Sequence, residues 1–196
     1  MTKITGMALA GGKSRRIGTN KALLPFGEGT LIVRAVGVLS SVVEKVWVIV
    51  DSAEAFCELG VAVREDIRPN SGCLGGIYTG LVVAETEYSL FLACDMPFMR
   101  SEFLSFLVSH AEGWDVVIPK TAGGYEPLCA VYSKACLEPI RRQLEERRLK
   151  VTDFLGQVRV RIVEQEEIGR FDGNGRMFTN INTWAEYEAA IKLAGG

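Results

Sequence analysis

Short apolar blocks recur along the chain, and their spacing predicts the elements. Runs rich in β-branched or apolar residues read as buried strands: "ITGMALA" (4–10), "KVWVIVD" (45–51), "VAVRED" (61–66), "YSLFLACD" (88–95), "DVVIP" (115–119), "PLCAVY" (127–132) and "VRVRIVE" (158–164). Between them lie helical patterns at 30–42, 75–85, 101–112 and 133–148, the last with its charges gathered at the end, as on a surface helix. Thr183 followed by Glu186 forms a capping box that opens a final helix, "TWAEYEAAIKLA". Strands alternating with helices predict an α/β fold: a doubly wound, mainly parallel sheet with helices on both faces. With 196 residues and no visible linker, the chain reads as a single domain spanning 1–196.

Open parallel sheets bind ligands beyond the carboxyl ends of their strands. The first run ends at Gly11 and Gly12, and the next three end at Asp51, Asp66 and Asp95. Three successive strands therefore deliver a carboxylate to the edge that carries the glycine turn. Any one of these could be an ordinary turn aspartate; the convergence of three points to a site. The longest irregular stretches, 66–76 and 171–180, are the loops expected to serve it.

Composition narrows the chemistry. The net charge of −2 gives no sign of a bulk nucleic-acid binder, so polyanion binding must be local. Five cysteines, none in CxxC spacing, argue against a disulfide framework or zinc site and read as small buried residues of a reducing compartment. His110 is the one histidine and lies at a helix end, which leaves little room for a Ser-His-Asp triad. No signal peptide is visible and no run approaches the roughly 18 apolar residues of a membrane span, so a cytoplasmic protein is expected.

The sharpest motif is "LAGGKSRRIG" (9–18), followed by Lys21. It is not a Walker A loop, since the glycine required upstream falls at Met7, and the spacing from Gly11 and Gly12 to Gly18 is not GxGxxG. The physical logic survives both failures. Glycines admit a ligand close to the backbone, successive N–H groups cradle an anion, Arg16 can bind phosphate bidentately, and Lys21 adds a movable charge.

"LAGGKSRRIGTNKALLPFGEGTLIVRAV" resembles the signature of nucleotidyltransferases, and within them the molybdenum cofactor guanylyltransferases. "VRED", "LACDMPF", "EPLCAVYSKACLEPI" and "NINTWAEYEAA" follow in that family's order, so the resemblance spans nearly the whole chain. It implies a Rossmann-like nucleotidyltransferase fold with an antiparallel excursion in the sheet. The implied reaction is transfer of GMP from GTP to the terminal phosphate of molybdopterin, with magnesium and with loss of pyrophosphate. Transient contacts with other molybdenum cofactor biosynthesis proteins or acceptor enzymes are implied too.

Carried over residue by residue, Leu9, Ala10, Gly11 and Gly12 form the nucleotide loop, and Arg16 and Lys21 bind phosphate. Lys13 and Arg15 stay open between phosphate contact and solvated charge, and Ile17 replaces a common methionine. Asp95 is the implied magnesium ligand; a helix cap is the alternative, but Ser101 offers a cap further on. Catalysis would then rest on Lys21, Arg16 and Asp95. Asp66 would contact guanosine. Asp51 stands where relatives often carry asparagine, so it remains open between nucleotide contact and turn. Asn180 and Asn182 match a motif near the second substrate, or else bond turn backbone beside Thr183. A molybdopterin cytidylyltransferase, a sugar-phosphate nucleotidyltransferase and a non-catalytic nucleotide-binding module remain as alternatives. The cytidylyl branch typically carries alanine in place of Gly11.

Overall fold

The structure is a computed structural model that describes residues 3–11, 20–56 and 59–195. The chain enters through β1 (Ile4–Leu9). After a 3-10 turn at Lys21–Leu23 it forms a short hairpin of β2 (Pro25–Phe26) and β3 (Gly29–Thr30). Next come α1 (Leu31–Ser40), β4 (Lys45–Val50), β5 (Ala62–Glu65), α2 (Gly72–Val83) and β6 (Tyr88–Ala93). The second half runs α3 (Ser101–Ser109), β7 (Val116–Thr121), β8 (Gly124–Tyr125), β9 (Cys129–Ser133), α4 (Leu137–Glu145), β10 (Val160–Val163), α5 (Gln165–Ile168) and α6 (Trp184–Ala194).

The main sheet has the order β10-β7-β9-β6-β1-β4-β5, with β8 paired to β7. β1 runs parallel to β4 and β6, β4 to β5, and β10 to β7; β9, between β6 and β7, and the short β8 beside β7 run antiparallel. This is the expected parallel sheet with its antiparallel excursion. The chain leaves β1 toward β4 and β5, then returns to lay β6 on the other side of β1. The order reverses between β1 and β6, which opens a crevice at their carboxyl ends.

Both faces of the sheet are buried, which explains why its strands are apolar at nearly every position. Ala8, Val48, Leu90, Leu92 and Val131 pack on one face with Ile32 and Leu39 of α1 and Phe103 and Leu107 of α3. Met7, Ile49, Phe91 and Tyr132 pack on the other with Leu74, Ile77 and Leu81 of α2 and Ile140 of α4. A smaller cluster of Leu24, Phe26, Leu31, Ile181 and Ala190 ties α6 to the β2–β3 hairpin. Tyr187 reinforces it by donating its hydroxyl to the Pro25 carbonyl at 2.6 Å. That cluster sets the segment around Lys21 against the segment before α6.

The Thr183–Glu186 capping box forms as expected. The expected cap at Ser101 does not: Ser101 is the first helical residue, and Arg100 takes the N-cap position without a side-chain capping bond. The Ser101 hydroxyl instead lies 3.4 Å from Glu102 Oε2, an acceptor in the same first turn. Among the described residues no helix is long and apolar enough to cross a membrane.

Candidate active site

A cleft of about 1000 Å³ opens at the carboxyl ends of β1, β4, β5 and β6. Its walls include Leu9, Ala10 and Gly11 after β1, Asp51 after β4, Asp66 after β5 and Asp95 after β6. Lys21, Asn180 and Asn182 complete it. All the candidate residues within the described chain therefore meet at one place. Gly12 and Arg16, with Lys13, Arg15, Ile17 and Gly18, lie outside the described residues.

Backbone bonds lock the strand ends together. Ala10 N–H donates to the Ile49 carbonyl at 2.9 Å, Cys94 N–H to Leu9 at 3.1 Å, and Asp66 N–H to Val50 at 2.8 Å. The three aspartates thus ride on a rigid frame. A Cβ on Gly11 would lie 3.0 Å from Asp51 Oδ1, so the bare backbone of the glycine turn and the Asp51 carboxylate share one surface.

Asp95 is the electrostatic centre. Its Oδ2 pairs with Lys21 Nζ at 2.6 Å, and both side chains are less than a fifth exposed. Its Oδ1 is buried and has no hydrogen-bond partner among the described residues. Asp95 does not cap α3, whose N-cap lies five residues on. A buried carboxylate oxygen without a donor calls for a cation or a ligand. Among the described residues no three His, Cys, Asp or Glu side chains gather as a metal cage. A single carboxylate such as Asp95 suits a hard divalent ion that draws the rest of its shell from phosphate oxygens and water. Lys21 Nζ donates also to Asn182 Oδ1 at 3.2 Å. Asn182 N–H and Thr183 N–H donate to Glu186 Oε2 at 2.7 and 2.8 Å, which holds the Glu186 carboxyl below its ordinary range. Ile181 N–H reaches the Asp95 carbonyl at 3.0 Å. The segment 180–182 is thus fastened to the end of β6 from one side and to α6 from the other.

Asp66 is held differently. Its Oδ1 accepts from Thr79 Oγ1 at 2.6 Å and from Arg68 N–H at 2.8 Å. A Cβ on Gly75 would come within 2.7 Å of Asp66 Oδ2, so glycine there leaves the carboxylate its place. Gly72 and Cys73, in the first turn of α2, also line the cleft, and Ser71 makes no side-chain cap bond. The leading N–H groups of α2 are suited to an anion.

The cysteines divide. Cys94, Cys129 and Cys136 are buried free thiols, as expected; Cys57 lies outside the described residues. Cys73 departs from the expectation: it is exposed on the cleft wall. Burial of the sulfur end and the nearby Asp95 charge push its thiol up from the ordinary range. Burial also pushes Cys94 up to about 12. His110 caps α3, with Nδ1 2.8 Å from the Phe106 carbonyl, away from the cleft. Sequence reasoning missed Cys73 and Thr79. A single threonine in an otherwise apolar, glycine-rich helical run was the signal for Thr79.

A crevice at the sheet's reversal point, with a rim suited to an anion and a carboxylate at its centre, is where an α/β protein of this kind takes a small ligand, and a nucleotide suits it. Comparison with known proteins narrows the class. Residues 6–161 match the MobA-like NTP transferase domain, and the chain belongs to that family. A probable molybdenum cofactor guanylyltransferase of Pelotomaculum thermopropionicum is 38% identical over 99% of this chain and 95% of its own length. The molybdenum cofactor guanylyltransferase of Desulfosudis oleivorans is 36% identical over 98% of each chain. In fold, the chain is similar to molybdopterin-guanine dinucleotide biosynthesis protein A from Archaeoglobus fulgidus, with a TM-score of 0.84, 24% identity, and 97% and 98% of the two chains covered.

Proposed function

We propose that this chain transfers GMP from GTP to the terminal phosphate of molybdopterin, forming the guanine dinucleotide cofactor and releasing pyrophosphate. The observation that carries this reading is near-full-length likeness to guanylyltransferases, with the Lys21–Asp95–Asn182 cluster set at the strand ends. A phosphate oxygen of molybdopterin attacks the α-phosphorus of GTP. The new P–O bond forms as the bond from the α-phosphorus to the β-phosphate bridging oxygen breaks, and the electron pair leaves with pyrophosphate. No side-chain nucleophile is needed; the protein supplies position and charge.

Leu9, Ala10, Gly11 and Gly12 bind the nucleotide through backbone, and Asp51 and Asp66 take donors of the guanosine. Lys21 and Arg16 compensate phosphate charge. Asp95 anchors magnesium, which when bound screens the triphosphate and polarises its oxygens. Asn180 and Asn182 face the second substrate. Asn182 also holds Lys21 Nζ where an incoming phosphate would meet it. Substrate exchange then requires Lys21 to trade Asp95 for phosphate oxygens. The cytoplasm is the compartment that the free thiols favour. Transient docking to other cofactor-assembly proteins or to acceptor enzymes completes the picture. The test is incubation of the purified protein with GTP, magnesium and molybdopterin. The reading predicts a GMP-bearing pterin formed one-for-one with pyrophosphate; pyrophosphate release without that product contradicts it.

A further inference from the structure

Helix α2 is buried along most of its length, with Leu74, Ile77 and Leu81 packed into the core. Thr79 lies among them and is completely buried. A buried hydroxyl must find partners, and here it finds two on a single dipeptide. Ile67 N–H donates to Thr79 Oγ1 at 3.1 Å, and Thr79 Oγ1 is 2.6 Å from Asp66 Oδ1. The backbone N–H can only donate, so Thr79 accepts there. The hydroxyl proton is then committed to the Asp66 carboxylate. Arg68 N–H fixes the same Oδ1 from the loop side at 2.8 Å. Oδ1 is thereby occupied, and Oδ2 sits in the space that Gly75 leaves by lacking a Cβ.

We propose that Thr79 is a positioning residue for nucleotide selection: its hydroxyl locks the Asp66 carboxylate in the orientation that receives the guanosine. This rests on the reading of Asp66 as the guanosine contact. Thr79 does not touch the nucleotide. It clamps both the side chain of Asp66 and the backbone of the next residue, so that Oδ1 is spent on the protein and the position of Oδ2, on a residue that lines the cleft, is fixed with it. Preorganising an acceptor lowers the entropy lost on binding, and the effect belongs to affinity rather than to the transfer step.

The test compares GTP binding by calorimetry, in the presence of magnesium, with steady-state transfer to molybdopterin. Thr79→Val keeps shape and removes the hydroxyl. It is expected to raise the Kd and KM for GTP about tenfold, the usual worth of one hydrogen bond to a charged group, with kcat within about twofold. Thr79→Ser is expected to restore both constants to within about twofold of wild type. Asp66→Asn should raise the Kd at least as far. Adding Thr79→Val to Asp66→Asn should then cost less than about threefold more, since the two act as one unit. Should the valine variant fail to fold, with Ile67 N–H left without an acceptor, Thr79→Ala, whose smaller side chain leaves room for a water to accept from Ile67 N–H, carries the expectation of a raised Kd with kcat unchanged. An unchanged Kd in Thr79→Val or Thr79→Ala, alongside a raised Kd in Asp66→Asn, overturns the positioning role and leaves the reading of Asp66 standing. A fall in kcat with unchanged KM also overturns it, as a merely structural defect would produce. An unchanged Kd in Asp66→Asn removes the reading of Asp66 and this proposal with it.

Discussion

Replacing Asp95 by alanine separates stability from function. The Lys21 Nζ–Asp95 Oδ2 distance is 2.6 Å. At an effective dielectric constant of about 20, the gross attraction is about 6 kcal/mol. Holding two ions mostly out of water takes back several kcal/mol, and the unpartnered Oδ1 costs about 1–3 kcal/mol more. The substitution removes the attraction and the Asp95 share of that cost, but leaves Lys21 largely out of water with the neutral Asn182 as its partner. Without nucleotide, Asp95→Ala should therefore lower stability by about 1–3 kcal/mol. For a chain of this size that lowers Tm by roughly 2–12 °C. Transfer should fall by at least about 10²-fold, because the single carboxylate expected to anchor the metal is gone. The assays are thermal melting of the nucleotide-free protein and pyrophosphate release with GTP, magnesium and molybdopterin. Transfer within tenfold of wild type would refute the metal-anchor argument. A collapse in Tm would show instead that Asp95 holds the fold together.

Lys21→Ala should slow transfer by on the order of 10²-fold, while Lys13→Ala should matter far less; equal initial rates for the two would place the phosphate charge elsewhere in the loop. Cys73 in the nucleotide-free protein, with its thiol pushed up by burial and by Asp95, should react with iodoacetamide more slowly than a free thiol near pH 8. Its rate, followed by peptide mass analysis, should still climb above about pH 9, and a plateau below that pH contradicts the assigned environment. Asp115 accepts from Arg159 N–H at 2.9 Å, Nε at 3.1 Å and Nη2 at 2.9 Å, which holds its carboxyl below the ordinary range and pins β7 to β10. Because the folded value is depressed, the contribution is complete above the unfolded value near 4 and is lost as pH falls through the folded one. Asp115→Asn should thus cost about 1 kcal/mol at pH 7 in urea melts, discounted for the exposed Arg159, and the gap should close toward pH 2–3. A gap that persists there shows that packing, not charge, holds the pair.

The parts of this site that can be read from sequence are those in which one strand end speaks for itself. Asp51, Asp66 and Asp95 each close an apolar run, and the rule for parallel sheets is enough to set all three on one edge, where the cleft lies. The Thr183–Glu186 box is legible because a cap is a local pattern. What pairs across the chain is not legible. Lys21 meets Asp95 and Asn182 only because the cluster of Leu24, Phe26, Leu31, Ile181 and Ala190 folds α6 back on the hairpin. The hairpin itself has two residues per strand, too few for any alternation to register. The 3-10 stretch Val151–Gln157 and the four-residue α5 are likewise too short for a period of 3.6 to show. Ser101 misleads because a serine before an apolar run resembles a cap whether or not its oxygen turns to the backbone. Cys73 misleads because residue type predicts burial only on average, and a helix start at a cleft is the exception.

The central claim is choice of base as well as transfer. Guanine offers N–H donors that backbone carbonyls or the Asp51 and Asp66 carboxylates can accept, and each such group left unpaired costs about 1–3 kcal/mol. One or two contacts separate the triphosphates by roughly 10- to 10⁴-fold. The direct measurement is competition between GTP and CTP for transfer to molybdopterin, in the wild type and in Gly11→Ala, whose Cβ would press on Asp51 Oδ1 at 3.0 Å. The account predicts a kcat/KM at least about tenfold higher for GTP in the wild type, with the ratio reduced in the variant. Equal use of the two nucleotides by the wild type, or a preference for CTP, would contradict it.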